Sequence, residues 1–247
     1  MNLCRTILLI FLSVLLSPGI VTGQPDRSER EKLADAALES TIKMYDRSLK
    51  QNSFIFNGRI YNDVYGGLRG HPYFMEDYWE TGRVTFKGQQ FDSLYLMYEI
   101  YNDLLLLNSY NNLGRVAPIE LNSHDIQNFY LHDHSFVFLE ADSSSVFPEG
   151  FYDAVYKGTS VSIYAKRKKE IHKNMSANGL WEELREADIY YLKKGNMYYR
   201  IRNNGSVVKV LEEHKKAVRT YIRKNNIDLK INSERGLVMI VSYFESL

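Results

Sequence analysis

The chain of 247 residues carries a single cysteine, Cys4. It precedes the apolar run 7–16, so a product cut after that run has no thiol, and disulfides, thiolate catalysis and cysteine-bound metals fall away together. The place just after the run, where a lipid-anchor signal puts its cysteine, holds Gly23 and Gln24. Long apolar segments are missing too: the run is about ten residues, against the roughly 20 that a membrane-spanning helix needs. No GxSxG, HExxH or dinucleotide fingerprint occurs, and residues 65–70 lack the Lys-Ser/Thr pair of a phosphate loop. Internal repeats and low-complexity tracts are absent. Only a serine nucleophile outside any motif stays open, and the chain is expected to have a core large enough to fold without staples.

What is present begins with residues 1–23. Arg5, the apolar run, a break at Pro18-Gly19 and the small residues Val21-Thr22-Gly23 predict a secretory signal peptide. Cleavage is expected at or near Gly23, leaving a chain from Gln24 with no transmembrane span. The expected address is exported: periplasmic, outer-membrane associated or extracellular.

Hydrophobic residues make up 45% of the chain, which argues against disorder, and its 19 tyrosines and 12 phenylalanines favour strands and half-wet surfaces. Charge is bipolar. Residues 24–156 hold 11 basic and 20 acidic side chains, and residues 157–230 hold 18 and 8. Such blocks are solvated surface, attract each other, or mark an anionic partner for the basic part.

Residues 25–50 read as an amphipathic helix, opened by the capping box Ser28 and Glu31 and expected to pack on a sheet. Phe54-Ile55-Phe56 begins an extended run closed at Asn57-Gly58. From 82 to 167 short strands alternate with turns: 84–86 with 91–98 across 87–89, then 104–107, then 126–131 with 135–139 across His132-Asp133-His134, then 151–156 with 161–165. Arg167-Lys168-Lys169 opens a polar linker. A hairpin of 190–193 with 197–201 follows, then a helix over 207–224 and a last helix from about 232, with Leu237, Ile240, Val241 and Phe244 on one face. The fold class is α+β: an antiparallel hairpin-rich sheet, partial barrel or sandwich, with an N-terminal amphipathic helix and a C-terminal helical pair. The organisation is signal peptide 1–23, helix plus meander 24–166, and a basic region 167–247 packed on the same domain.

Three features bear on chemistry. His132 and His134, two apart with Asp133 between, can share a metal on one strand face, but no further spaced ligand set supports it and no metal or cofactor is expected. The basic residues Lys215, Lys216, Arg219, Arg223 and Lys224 suit lipid phosphates, a partner protein or plain solvation; with an export signal ahead of them, nucleic acid is not expected. The most distinctive stretch is 65–80. Its glycines permit close backbone approach, and Tyr65, His71, Tyr73, Phe74, Tyr78 and Trp79 form a candidate binding set beside the carboxylates Glu76, Asp77 and Glu80. The competing reading is a long loop pinned to the sheet by its aromatic rings.

Gly-His-Pro-Tyr-Phe at 70–74, Gly-Arg-Val-Thr-Phe-Lys-Gly at 82–88, Gly-Phe-Tyr-Asp-Ala-Val-Tyr-Lys-Gly at 150–158 and the ending Tyr-Ile-Arg-Lys-Asn-Asn at 221–226 resemble uncharacterised exported proteins of the Bacteroidota. The resemblance implies a gram-negative envelope location and no particular chemistry. The leading expectation is a non-enzymatic envelope protein, a binding or assembly module with a protein partner at the outer membrane or cell surface, reached through the aromatic loop or the basic end. A glycan-acting hydrolase using carboxylates among Glu76, Asp77 and Glu80 is the second, and a lipid carrier with a curled sheet the third. No catalytic residue is assigned.

Overall fold

The computed structural model describes residues 32, 35–41, 54–109, 117–143, 145–176 and 179–247. It divides into two units, Met1–Asn52 and Ser53–Leu247. In the first, residues 32 and 35–41 are helical, as the periodicity predicts; the signal peptide and the rest of the expected helix lie outside the described residues.

The second unit is built on an antiparallel sheet. Its strands are β1 (Arg59–Ile60), β2 (Glu80–Phe86), β3 (Gln89–Glu99), β4 (Leu104–Leu107), β5 (Ile119–Glu120), β6 (Ile126–Leu131), β7 (His134–Leu139), β8 (Gly150–Lys157), β9 (Val161–Lys166), β12 (Ile189–Lys194) and β13 (Met197–Ile201). Their order is β1-β5-β4-β3-β2-β6-β7-β8-β9-β12-β13. Two more strands, β10 (Lys169–Ser176) and β11 (Gly179–Glu186), form a separate hairpin, and β11 is bridged at Glu183 by Arg69. The turns follow from local chemistry. Lys87-Gly88 joins β2 to β3 with φ 50° and 75°, and His132-Asp133 joins β6 to β7 with φ 50° and 63°. Both pairs have the left-handed geometry of two-residue hairpins.

The sheet is strongly bent. Tyr98 of β3 and Phe151 of β8 stand four strand spacings apart in the ladder, about 19 Å in a flat sheet, yet their ring centroids are 5.9 Å apart. Tyr98 also meets Phe129 at 5.2 Å and Phe136 at 5.0 Å. Asp103, in the β3–β4 turn, holds the bend from the polar side: it accepts from Tyr98 Oη, from the Phe151 amide and from Lys166 Nζ. The inner face of β2 to β8 carries one core, in which each fully buried Phe or Leu contributes about 1.5–3 kcal/mol. Alternation is clear in β2, where Gly82, Val84 and Phe86 point inward. It stops at the end of β3, where Leu96, Met97, Tyr98 and Glu99 are all buried. The reason is that both faces are covered there, since Met97 and Leu106 join a separate cluster with Tyr61 and Tyr73.

The C-terminal helices are α1 (Asn204–Val210), α2 (Lys215–Lys224) and α3 (Ser233–Glu245). Asn203 and Ser206 cap α1 reciprocally. The single helix expected over 207–224 is broken at Leu211 by a 3-10 turn, Glu212–His214, which lets α1 lie on β12 and β13 while α2 lies on α3. In α3 the predicted stripe Leu237, Ile240, Val241 and Phe244 is buried. The Glu245 carboxylate accepts the amides of Thr159, Ser160 and Val161, tying the end of α3 to the β8–β9 turn.

Three expectations are corrected. Residues 54–56 form a turn, not an extended run, with Ile55 sunk in the core. His132 sits in the turn and His134 already belongs to β7, so the pair does not share one strand face. The supposed polar linker is largely buried: Arg167 and Lys169, with the preceding Lys166, are each under a tenth exposed, while Lys168 stays partly exposed and pairs with Glu170. Arg167 Nε donates to Asp153, and its Nη1 reaches Asp188 and Glu234 at 2.7 Å each. This cation joins the sheet to α3 because a charge taken out of water must be paired.

Candidate functional site

Residues 61–79 cross the face of β3 and β4 opposite the main core. Tyr73 bridges Glu99, the Phe74 amide donates to the Tyr98 carbonyl at 2.8 Å, and the Ile100 amide donates to the Pro72 carbonyl at 2.9 Å. On the other side the segment is laced to the β10–β11 hairpin. The Arg69 amide donates to the Glu182 carbonyl, the Leu184 amide donates to the Arg69 carbonyl, both at 3.0 Å, and the Arg69 guanidinium lies 4.7 Å over the Trp181 ring. Lys169 Nζ donates to the carbonyls of His71 and Tyr73. Gly70, at φ 83°, supplies the left-handed residue this path needs. The long loop is thereby fixed on both flanks.

Under it lies a cleft of about 530 Å³, within the usual range of small-molecule sites. Tyr61, Tyr65, His71, Tyr73 and Trp79 form its walls with Asp63 and Asp77, over Met97, Leu106 and Pro118. Asp63 accepts from the Tyr65 amide at 2.9 Å and from Tyr73 Oη at 3.1 Å. Two polar atoms beside it, Tyr61 Oη and His71 Nδ1, are shut off from solvent; among the described residues His71 Nδ1 has no hydrogen-bond partner, and Tyr61 Oη meets the Tyr73 phenol alone, outside ordinary hydrogen-bond geometry. A buried polar atom left without a partner, as His71 Nδ1 is, costs about 1–3 kcal/mol. Burial, reinforced by Lys169, lowers the His71 pKa, so its ring is neutral at neutral pH. Burial pushes the Tyr65 and Tyr73 phenols up to about 12 each, and Tyr61 higher still. The phenols therefore keep their protons and offer neutral donors and acceptors.

Of the six aromatic residues singled out in the sequence, the cleft brings together Tyr65, His71, Tyr73 and Trp79. Phe74 turns the other way, into the main core, where it packs edge-on against Phe136 at 5.2 Å. Tyr78 is 52% exposed and meets His132. Of the three carboxylates, only Asp77 borders the cleft. Glu99, raised by burial, is consumed as the cap of its own turn, accepting from the amides of Tyr101 and Asn102. Sequence reasoning missed Tyr61 and Asp63, which lie in the same aromatic and acidic texture a few residues upstream.

The other candidates separate. His134 Nδ1 contacts Asp153 at 2.6 Å, and among the described residues no three metal-ligating side chains converge. Lys215, Lys216, Arg219, Arg223 and Lys224 all face solvent along α2. No described helix is long and apolar enough to cross a membrane. No family model, curated protein or solved structure matches this chain.

Proposed function

We propose that the chain is a non-enzymatic binding module of the exported envelope class, and that the cleft under residues 61–79 receives a neutral saccharide unit. The observation that carries this reading is the pre-formed cleft itself, walled by the rings of Tyr61, Tyr65, Tyr73 and Trp79 and edged by the polar side chains of Asp63, His71 and Asp77. A sugar presents apolar C–H faces to rings and hydroxyls to polar atoms, and so matches both. An apolar ligand leaves the polar edge of the cleft unsatisfied, and an anion meets Asp63 and Asp77. Hydrolysis is not part of the proposal, because glycosidases set two carboxyl groups across the scissile bond. Here Asp77 alone of the expected set reaches the cleft, and Asp63 is engaged by Tyr65 and Tyr73. The address rests on the N-terminal sequence, and assembly with an outer-membrane partner belongs to the same proposal. We read the bent sheet as a partial barrel; register shifts in β2 and β8 support this, since bulges add curl.

The test is a titration with neutral mono- and disaccharides, followed by the fluorescence of a Trp181→Phe variant, in which Trp79 is the remaining indole. Saturable quenching is expected, weakened about tenfold or more by Asp77→Ala, which removes a charged hydrogen-bonding group from the edge of the cleft. The absence of saturable binding by any member, or release of new reducing ends, overturns the reading.

A further inference from the structure

A second cavity, of about 1050 Å³, runs along β13. This strand ends the ladder: it pairs with β12 on one side, and its residues make no other backbone hydrogen bond among the described residues. Tyr198 and Arg200 lie on one face of the strand and Tyr199 on the other, yet all three line the cavity. A groove that touches both faces of a strand follows its edge. Arg202 and the α1 residue Lys209 extend the wall, in which Glu212 is the single carboxylate against four cations, Lys194 included. Arg200, Arg202 and Lys209 are exposed and form no ion pair among the described residues, whereas Lys194 is held by Glu213.

We infer that this edge docks an extended acidic peptide segment, which adds to β13 as a further strand with its carboxylates against Arg200, Arg202 and Lys209. The free edge supplies backbone donors and acceptors for strand addition, and the three unpaired cations select the charge. A phosphate headgroup or an anionic polysaccharide uses the cations but leaves the edge amides unpaired. Charges on an edge strand also serve as guards against self-pairing, which predicts a different response to their removal.

The inference is independent of the saccharide cleft, and its test uses the full chain with three synthetic twelve-residue peptides. One alternates Glu with Val or Thr, one carries Lys for Glu, and one carries proline at alternate positions. The acidic peptide is expected to slow amide exchange within residues 197–201, to bind more weakly as salt rises, and to lose at least about tenfold in affinity to Arg200→Gln/Arg202→Gln. The lysine and proline peptides are expected to fail. Equal binding of the lysine or proline peptide, binding without slowed exchange, or no binding of the acidic peptide overturns the inference. So does capture by phosphatidylglycerol vesicles without peptide binding. Self-association of Arg200→Gln/Arg202→Gln, with wild-type peptide affinity retained, assigns the charges a guard role and equally overturns it. An unchanged melting temperature of the variant shows that the fold is intact.

Discussion

Lys169 Nζ donates to the Tyr73 carbonyl oxygen at 2.7 Å, across 96 residues of sequence, and to the His71 carbonyl at 2.9 Å. One buried ammonium thus fixes two peptide groups of the cleft wall, and burial lowers its own pKa. The β10–β11 hairpin, which shares no pairing with the main sheet, acts through this contact as the brace of the binding loop.

Lys169→Met keeps the buried stem and removes the donor. Two carbonyls then lose their partner, and a stability loss of about 1–3 kcal/mol is expected by chemical denaturation. Amide exchange at residues 71–74 is expected to rise, and saccharide affinity to fall. Unchanged exchange in this segment would show that the brace lies elsewhere.

Arg167→Met leaves Asp153, 1% exposed, with His134 as its remaining partner. An uncompensated buried charge costs about 3–5 kcal/mol, so a large fall in unfolding free energy is expected. Replacing Asp153 as well, by Leu, removes the stranded carboxylate and is expected to recover part of the loss. A double variant as unstable as the single one contradicts this account of the junction.

Acid should loosen the cleft through His71. Its folded pKa lies below the ordinary 6.5 because of burial and Lys169, so the unfolded chain takes up the proton first. The stability held above pH 6.5 is therefore lost progressively as pH falls from there through the folded value, and levels off below it. Denaturation midpoints at pH 7.5 and 5.5 should differ less for His71→Gln than for the wild type. Equal slopes would remove His71 as a source of the pH dependence.

Gly82 sits where β2 passes tightly between neighbours. A methyl group there would lie 2.6 Å from Leu96 Cδ1 and 2.6 Å from the Tyr130 carbonyl oxygen, and a backbone atom cannot step aside. Gly82→Ala is expected to cost about 1–3 kcal/mol, although alanine is ordinarily the better residue within a strand. A neutral result by thermal unfolding would mean that the strand relaxes at its bulge.

Much of the scaffold was legible because its signals are local. The pairs Lys87-Gly88 and Gly195-Asn196, the alternation in β2 and the heptad-like stripe of α3 each report on a few neighbouring residues. The β10–β11 hairpin was not legible, since its strands are polar, stand apart from the main sheet and show no apolar alternation. The linker reading of 167–169 failed for a related reason. Four successive cations, Lys166 to Lys169, look solvated, and Lys168 is in part; but distant Asp103, Asp153 and Asp188 pair with Lys166 and Arg167, and distant backbone carbonyls receive Lys169.

The candidate site divides along the same line. The sequence by itself determined that residues 65–80 concentrate glycine, aromatic rings and carboxylates, and that no known catalytic motif accompanies them. Only the tertiary structure decided that Phe74 faces the core while Tyr73 and Trp79 face a cleft, that Tyr61 and Asp63 join them, and that Glu76 and Glu80 do not. Composition is carried by the chain at every stage, but the face a side chain presents depends on which strand, turn or buried ammonium its backbone meets. Those partners lie tens of residues to about a hundred away in sequence.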